Sequence, residues 1–83
     1  MKIRIRTSGR LGQYLPAGSS GDRGELDVDS GATPLVVMER LGIPLEDSYL
    51  IAVNGAVIPP SQRAAASLAE NDELSIMPPL RGG

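Results

Sequence analysis

The sequence predicts a small α+β domain, five strand segments and one helix, on the strength of three observations. Residues 2–7 and 25–29 alternate apolar and charged side chains with the period of two that marks a half-buried strand. Residues 33–42 carry a helix start, an apolar stripe and a helix stop. Asn54-Gly55 stands between two apolar runs, the strongest short hairpin signal.

Each element follows from its residues. In residues 2–7, Ile3 and Ile5 share one face while Lys2, Arg4 and Arg6 share the other. In residues 25–29, Leu26 and Val28 oppose Glu25, Asp27 and Asp29. Paired as an antiparallel hairpin, the basic and acidic rows form cross-strand ion pairs, each contributing only a few tenths of a kcal/mol when exposed. Residues 9–24, rich in Gly and Ser, are too long for a tight turn and predict a surface loop. Within them Leu11, Tyr14 and Leu15 have near-helical spacing, so a short turn packs over the core.

Thr33 offers an N-cap hydroxyl and Pro34 occupies the first helical position. Pro34, Val37, Met38 and Leu41 recur at i, i+3, i+4, i+7 and face the core, and Gly42 stops the helix. The helix is roughly two turns long, so packing must hold it. Residues 49–53 form a strand, Asn54-Gly55 turns it, and residues 56–58 return briefly before Pro59-Pro60 ends the pairing. Residues 61–69 have no clear period, with Leu68 as their core anchor. Residues 70–72 make a polar turn, and residues 73–77 form the last strand with Leu74 and Ile76 facing inward. The domain is therefore residues 1–77, followed by a flexible, extended tail over residues 78–83.

Composition excludes whole classes of function. The 83 residues allow one small domain and are too few for a two-domain enzyme with a cleft between its halves. Aromatic residues make up 2%, so the core rests on Leu, Ile, Val, Met and Ala. With no Cys and no His, thiolate chemistry, imidazole acid–base chemistry, zinc fingers and disulfides are excluded. Glu70, Asp72 and Glu73 read as solvated turn acids, and no metal ligand is assigned. A net charge of −2 without a basic, aromatic-interleaved stripe argues against a nucleic-acid partner. The alternating first residues resemble neither a signal peptide nor a membrane span, so a cytoplasmic chain with no membrane partner is expected.

The tail, Pro78-Pro79-Leu80-Arg81-Gly82-Gly83, carries the functional signal. Two glycines without Cβ atoms let a backbone enter a slot closed to other residues. Pro78 and Pro79 favour an extended chain, and six such residues reach roughly 20 Å, enough to enter another protein's active site. The reactive group on this tail is the α-carboxylate of Gly83. A carboxylate is a poor acyl donor until it becomes a mixed anhydride, which adenylation by ATP provides. Gly9-Arg10-Leu11-Gly12 lacks the Lys-Ser/Thr ending of a phosphate-binding loop, so activation falls to a partner. The chain reads as a carrier or substrate protein, not an enzyme, and binds no cofactor itself.

Three runs then resemble the ThiS/MoaD family of sulfur carriers: Ile51-Ala52-Val53-Asn54-Gly55-Ala56-Val57, Leu68-Ala69-Glu70-Asn71-Asp72-Glu73-Leu74, and the tail itself. The segment from Thr33-Pro34 to Leu41-Gly42 and the opening strand are similar to that family as well. The resemblance implies a ubiquitin-like β-grasp, a mixed sheet of about four to five strands packed on one main helix. It also implies that a ubiquitin-activating-type adenylyltransferase uses ATP to adenylate Gly83, and that a sulfur donor enzyme converts the adenylate to a thiocarboxylate. A sulfur-accepting biosynthetic enzyme would then take the sulfur. By this resemblance Gly82 permits entry into that enzyme, while Pro78, Pro79, Leu80 and Arg81 position the tail. The Pro-Pro-x-x-Gly-Gly ending leans toward molybdopterin biosynthesis, where the chain would serve as the small subunit of a synthase-like complex, over thiamine thiazole formation. Two alternatives stand beside the carrier: a ubiquitin-like modifier conjugated through Gly83, and a non-covalent β-grasp interaction module.

Overall fold

The structure, a computed structural model, describes residues 1–16, 18–44 and 49–78. Alternation shapes strand β1 (Lys2–Thr7), where Ile3, Ile5 and Thr7 are buried and the three basic residues are exposed. Strand β2 (Arg23–Asp27) pairs antiparallel with it, and strand β5 (Glu73–Met77) pairs with β1 in parallel. Strand β3 (Leu50–Val53) lies antiparallel to β5, and the short β4 (Ala56–Val57) returns along β3. The sheet order β2-β1-β5-β3-β4 places β5, the last strand in sequence, at the centre. This is the mixed sheet expected for a β-grasp.

Helix α1 (Pro34–Leu41) is defined at both ends by its predicted signals. Thr33 accepts a hydrogen bond from the Val36 amide at 3.4 Å, and Gly42 takes the left-handed conformation at φ 80°. In that geometry the Gly42 amide reaches the Glu39 and Met38 carbonyls, satisfying the end of the helix. Pro34, Val37 and Met38 are buried and Leu41 is half-buried, so the predicted stripe faces the sheet. Val37 and Met38 join Ile3, Ile5, Ile51, Leu74 and Ile76 in one buried cluster, without an aromatic among its fully buried members. Among the described residues, no helix is long and apolar enough to cross a membrane.

The long segment after β1 opens with a 3-10 helix, Gly9–Tyr14, which buries Leu11 and rests Tyr14 on the core as its spacing predicts. A tight turn at Gly21-Asp22 then joins Ser20 to Arg23 by two backbone hydrogen bonds, at 2.9 and 3.1 Å. That turn corrects the expected strand. Because it starts pairing at Arg23, β2 spans Arg23–Asp27, two residues earlier than the alternation suggested, and Asp29 falls outside it. The register becomes Lys2 opposite Asp27, Arg4 opposite Glu25, and Arg6 opposite Arg23. The third expected ion pair is thus replaced by two like charges.

The Asn54-Gly55 turn has φ of 51° and 87°, the positive pair a type I′ hairpin requires. Asn54 also ties this hairpin to β5: its Nδ2 donates to Asp72 Oδ1 and its Oδ1 accepts from the Glu73 amide, both at 2.9 Å. Glu70 accepts from the Lys2 amide at 3.1 Å, so these turn acids hold backbone together. Among the described residues no group of His, Cys, Asp or Glu could hold a metal ion.

The aperiodic segment conceals a buried cation. Leu68 is buried as expected, and so is Arg63, which is 6% exposed. Its Nη2 donates to the Tyr49 carbonyl, and its own carbonyl accepts from the Leu35 amide at 3.2 Å. Arg63 thereby joins the β4–β5 connection to the first turn of α1 and the approach to β3. Arg63→Ala should cost about 2–3 kcal/mol, since it removes a charge-assisted bond and leaves a part-buried carbonyl without it. Urea unfolding followed by circular dichroism checks this; a loss under 0.5 kcal/mol would contradict it.

Candidate functional site

Pairing directions determine where the tail begins. Because β5 is central and parallel to β1, it ends where Thr7 ends β1, with Ile76 opposite Thr7. On the other side Met77 stands opposite Leu50 at the start of β3. Pro78 follows, exposed, beside Gly9: a Cβ on Gly9 would meet Pro78 Cγ at 3.8 Å. Gly9 has φ of 59°, a conformation glycine adopts without strain, and this opens the 3-10 helix beside the exit. The remaining predicted tail residues, Pro79, Leu80, Arg81, Gly82 and Gly83, lie outside the described residues.

The strand alternation divides the sheet into a face that meets α1 and an outer face. Leu74, Ile76, Ile5 and Ile51 point to the core. Register then places Val57, Ala52, Ser75, Arg6 and Arg23 in one row across the outer face. Leu50 and Met77 form the row above it, next to the tail root. The outer face is therefore apolar on β4, β3 and the end of β5, where Leu50 is 41% and Val57 61% exposed. It is charged on β1 and β2, where the one ion pair among the described residues is Lys2 Nζ to Glu25 Oε1 at 3.9 Å. Arg4 instead donates to the Asn71 carbonyl at 3.3 Å.

A shallow cavity of about 420 Å³ lies against the β2 edge, lined by Arg4, Ser19, Ser20, Arg23, Glu25 and Glu73 among others. Its arginines and glutamates are of opposed charge, and the Ser19 hydroxyl in its lining donates to the Pro16 carbonyl at 2.6 Å. The described residues place a strand exit beside an apolar half-face, and the Leu50 and Val57 that make that half-face were not singled out from sequence.

No curated protein matches the sequence. Solved structures do, over nearly the whole chain. The structure of SAMP1 from Haloferax volcanii has a TM-score of 0.72 at 23% identity, covering 100% of both chains. The solution structure of the Haloferax volcanii HVO 2177 protein has a TM-score of 0.79 at 21% identity, covering 100% of this chain and 87% of that one. A chain from the complex of subunits 1 and 2 of the Helicobacter pylori molybdopterin-converting factor has a TM-score of 0.62 at 18% identity, again covering 100% of both. These likenesses establish the ubiquitin-like β-grasp. The ThiS family model matches residues 18–83, from the turn that starts β2 through the Gly-Gly tail. The fold and the matched residues agree, and the chain belongs to the ThiS family.

Proposed function

We propose that the chain is a sulfur carrier that works through the carboxylate of Gly83. The observation that carries this reading is the exit of a Gly-Gly-bearing tail from the central strand, beside an exposed apolar half-face. A partner adenylyltransferase of the ubiquitin-activating type supplies ATP; a Gly83 carboxylate oxygen attacks the α-phosphorus and pyrophosphate leaves. A sulfur donor enzyme then delivers sulfur at the sulfide level to the acyl carbon, the acyl–phosphate bond breaks as AMP leaves, and the thiocarboxylate remains. Gly82 admits the tail to the acceptor's active site, and Pro78, Pro79, Leu80 and Arg81 position it. The described residues contribute the platform and none of the reacting groups.

The acceptor we favour is a molybdopterin-forming enzyme rather than a thiazole-forming one. The Pro-Pro-x-x-Gly-Gly ending supports this, as does likeness to a subunit of a molybdopterin-converting factor solved with its second subunit. The second reading, a protein modifier conjugated through Gly83, is favoured by likeness to the small archaeal modifier protein 1.

The absence of cysteine makes the test clean. Untagged protein from its native host is treated with iodoacetamide and the adduct is located by fragment mass spectrometry, because oxidation of Met1, Met38 or Met77 mimics oxygen-to-sulfur exchange in the intact mass. An adduct on Gly83 is the expected result. A Gly83 isopeptide on target lysines, without alkylation, would transfer the assignment to the modifier. Neither product, after incubation with host extract, ATP and a sulfur source, would overturn both.

A further inference from the structure

Arg6 and Arg23 are directly opposite one another on the outer sheet face. Side chains so placed have Cβ atoms about 4.5–5.5 Å apart, and like charges there are destabilising. Both are exposed, and neither makes an ion pair or side-chain hydrogen bond among the described residues. Elsewhere on β1 the same face is matched, Arg4 opposite Glu25 and Lys2 opposite Asp27. Protection of a sheet edge by charge accounts for a cation on β2, the outermost strand, but not for its neighbour on the interior strand β1. The unmatched pair shares its row with Ser75, Ala52 and Val57, the buried Ser75 standing between Arg6 and Ala52, and so lies at the edge of the apolar half-face. A local rule broken at the margin of a docking surface points to a partner that repairs it.

We propose that Arg6 and Arg23 read a pair of carboxylates on the protein that first takes the tail, the adenylating partner, so that the apolar half-face and the arginine pair form one docking surface. The proposal rests on the reading that a partner activates Gly83. The complement is acidic protein rather than nucleic acid. Two arginines on a chain of net charge −2 do not make a basic stripe, while an apolar patch bordered by cations matches an apolar patch bordered by carboxylates. Guanidinium forks suit this role because they meet carboxylates with two parallel hydrogen bonds.

The test uses the full chain and the purified ubiquitin-activating-type enzyme of the same host. Calorimetry gives Kd, and ATP–pyrophosphate exchange gives KM and kcat. The arginine-to-glutamate double variant R6E/R23E should weaken binding at least tenfold and raise KM accordingly, with kcat for bound chain unchanged. R6K/R23K should recover part of the affinity, and R6Q/R23Q should flatten the dependence of Kd on salt. Arg40→Glu, an exposed charge reversal on α1, controls for the net charge of each single reversal, R6E or R23E, and circular dichroism confirms that every variant is folded. The proposal is overturned if R6E/R23E binds as well as the Arg40→Glu control, if the wild-type chain does not bind, or if the double variant loses only affinity for a 20-nucleotide RNA. Binding that depends on the arginines but yields no pyrophosphate exchange would instead sink the activation reading and leave the docking surface standing.

Discussion

Leu74→Ala should cost about 3 kcal/mol and lower the unfolding midpoint by roughly 12–24 °C. Leu74 is fully buried on β5, the strand that pairs with β1 on one side and β3 on the other. Its removal leaves a cavity at the centre of the sheet, and its cross-strand partners Ile5 and Val53 are held in register by those pairings and cannot close over it. A domain of this length has about 4–12 kcal/mol of stability in total, so the loss is a large fraction of it. The same truncation at Val57, exposed on edge strand β4, should stay within about 0.5 kcal/mol. Thermal and urea unfolding of the two variants measure the contrast. Equal losses at both positions would mean that the sheet is not organised around β5.

The contrast between these two residues also explains what the sequence could reveal. β1, α1 and β5 were legible because each carries a strong period or cap: Ile3 and Ile5 alternate with charges, Thr33-Pro34 and Gly42 bracket the apolar stripe, and Leu74 and Ile76 alternate with Glu73 and Ser75. β3 was legible as a strand but not as a surface. Its residues Leu50, Ile51, Ala52 and Val53 are all apolar, so nothing in them separates the buried Ile51 from the exposed Leu50. Only the pairing of Leu50 with Met77 and of Ala52 with Ser75 assigns the outer face. The β2 register was missed for a related reason: alternation gives the faces of a strand, whereas the Ser20 to Arg23 turn decides its starting point. Arg63 left no signal, because an arginine in an aperiodic stretch reads as solvated unless a distant carbonyl, here that of Tyr49, is known to await it.

The largest functional effect should come from removing Gly82 and Gly83. Among the described residues, each of the buried apolar side chains of the core falls within the span from Ile3 to Ile76, so the truncated chain should unfold within about 2 °C of the full one. The outer face, including Leu50, Val57, Arg6 and Arg23, is also retained, and affinity for the activating partner should fall by no more than about threefold. Turnover should be lost altogether, because the new terminal carboxylate, on Arg81, falls two residues short of the reacting position, and the truncated chain should compete with the full one for the enzyme. Gly82→Val is the finer probe. It keeps the terminal carboxylate but adds a branched side chain where the backbone must pass, and misplacing the reacting atom by about 1 Å is enough to cost roughly 100-fold. Pyrophosphate exchange at saturating chain reads both variants. Inhibition by the truncated chain, with full activity restored by excess wild type, separates docking from chemistry: the folded platform supplies the first and the last two residues the second. A truncated chain that neither binds nor competes would place recognition in the tail itself and leave the sheet face without a role.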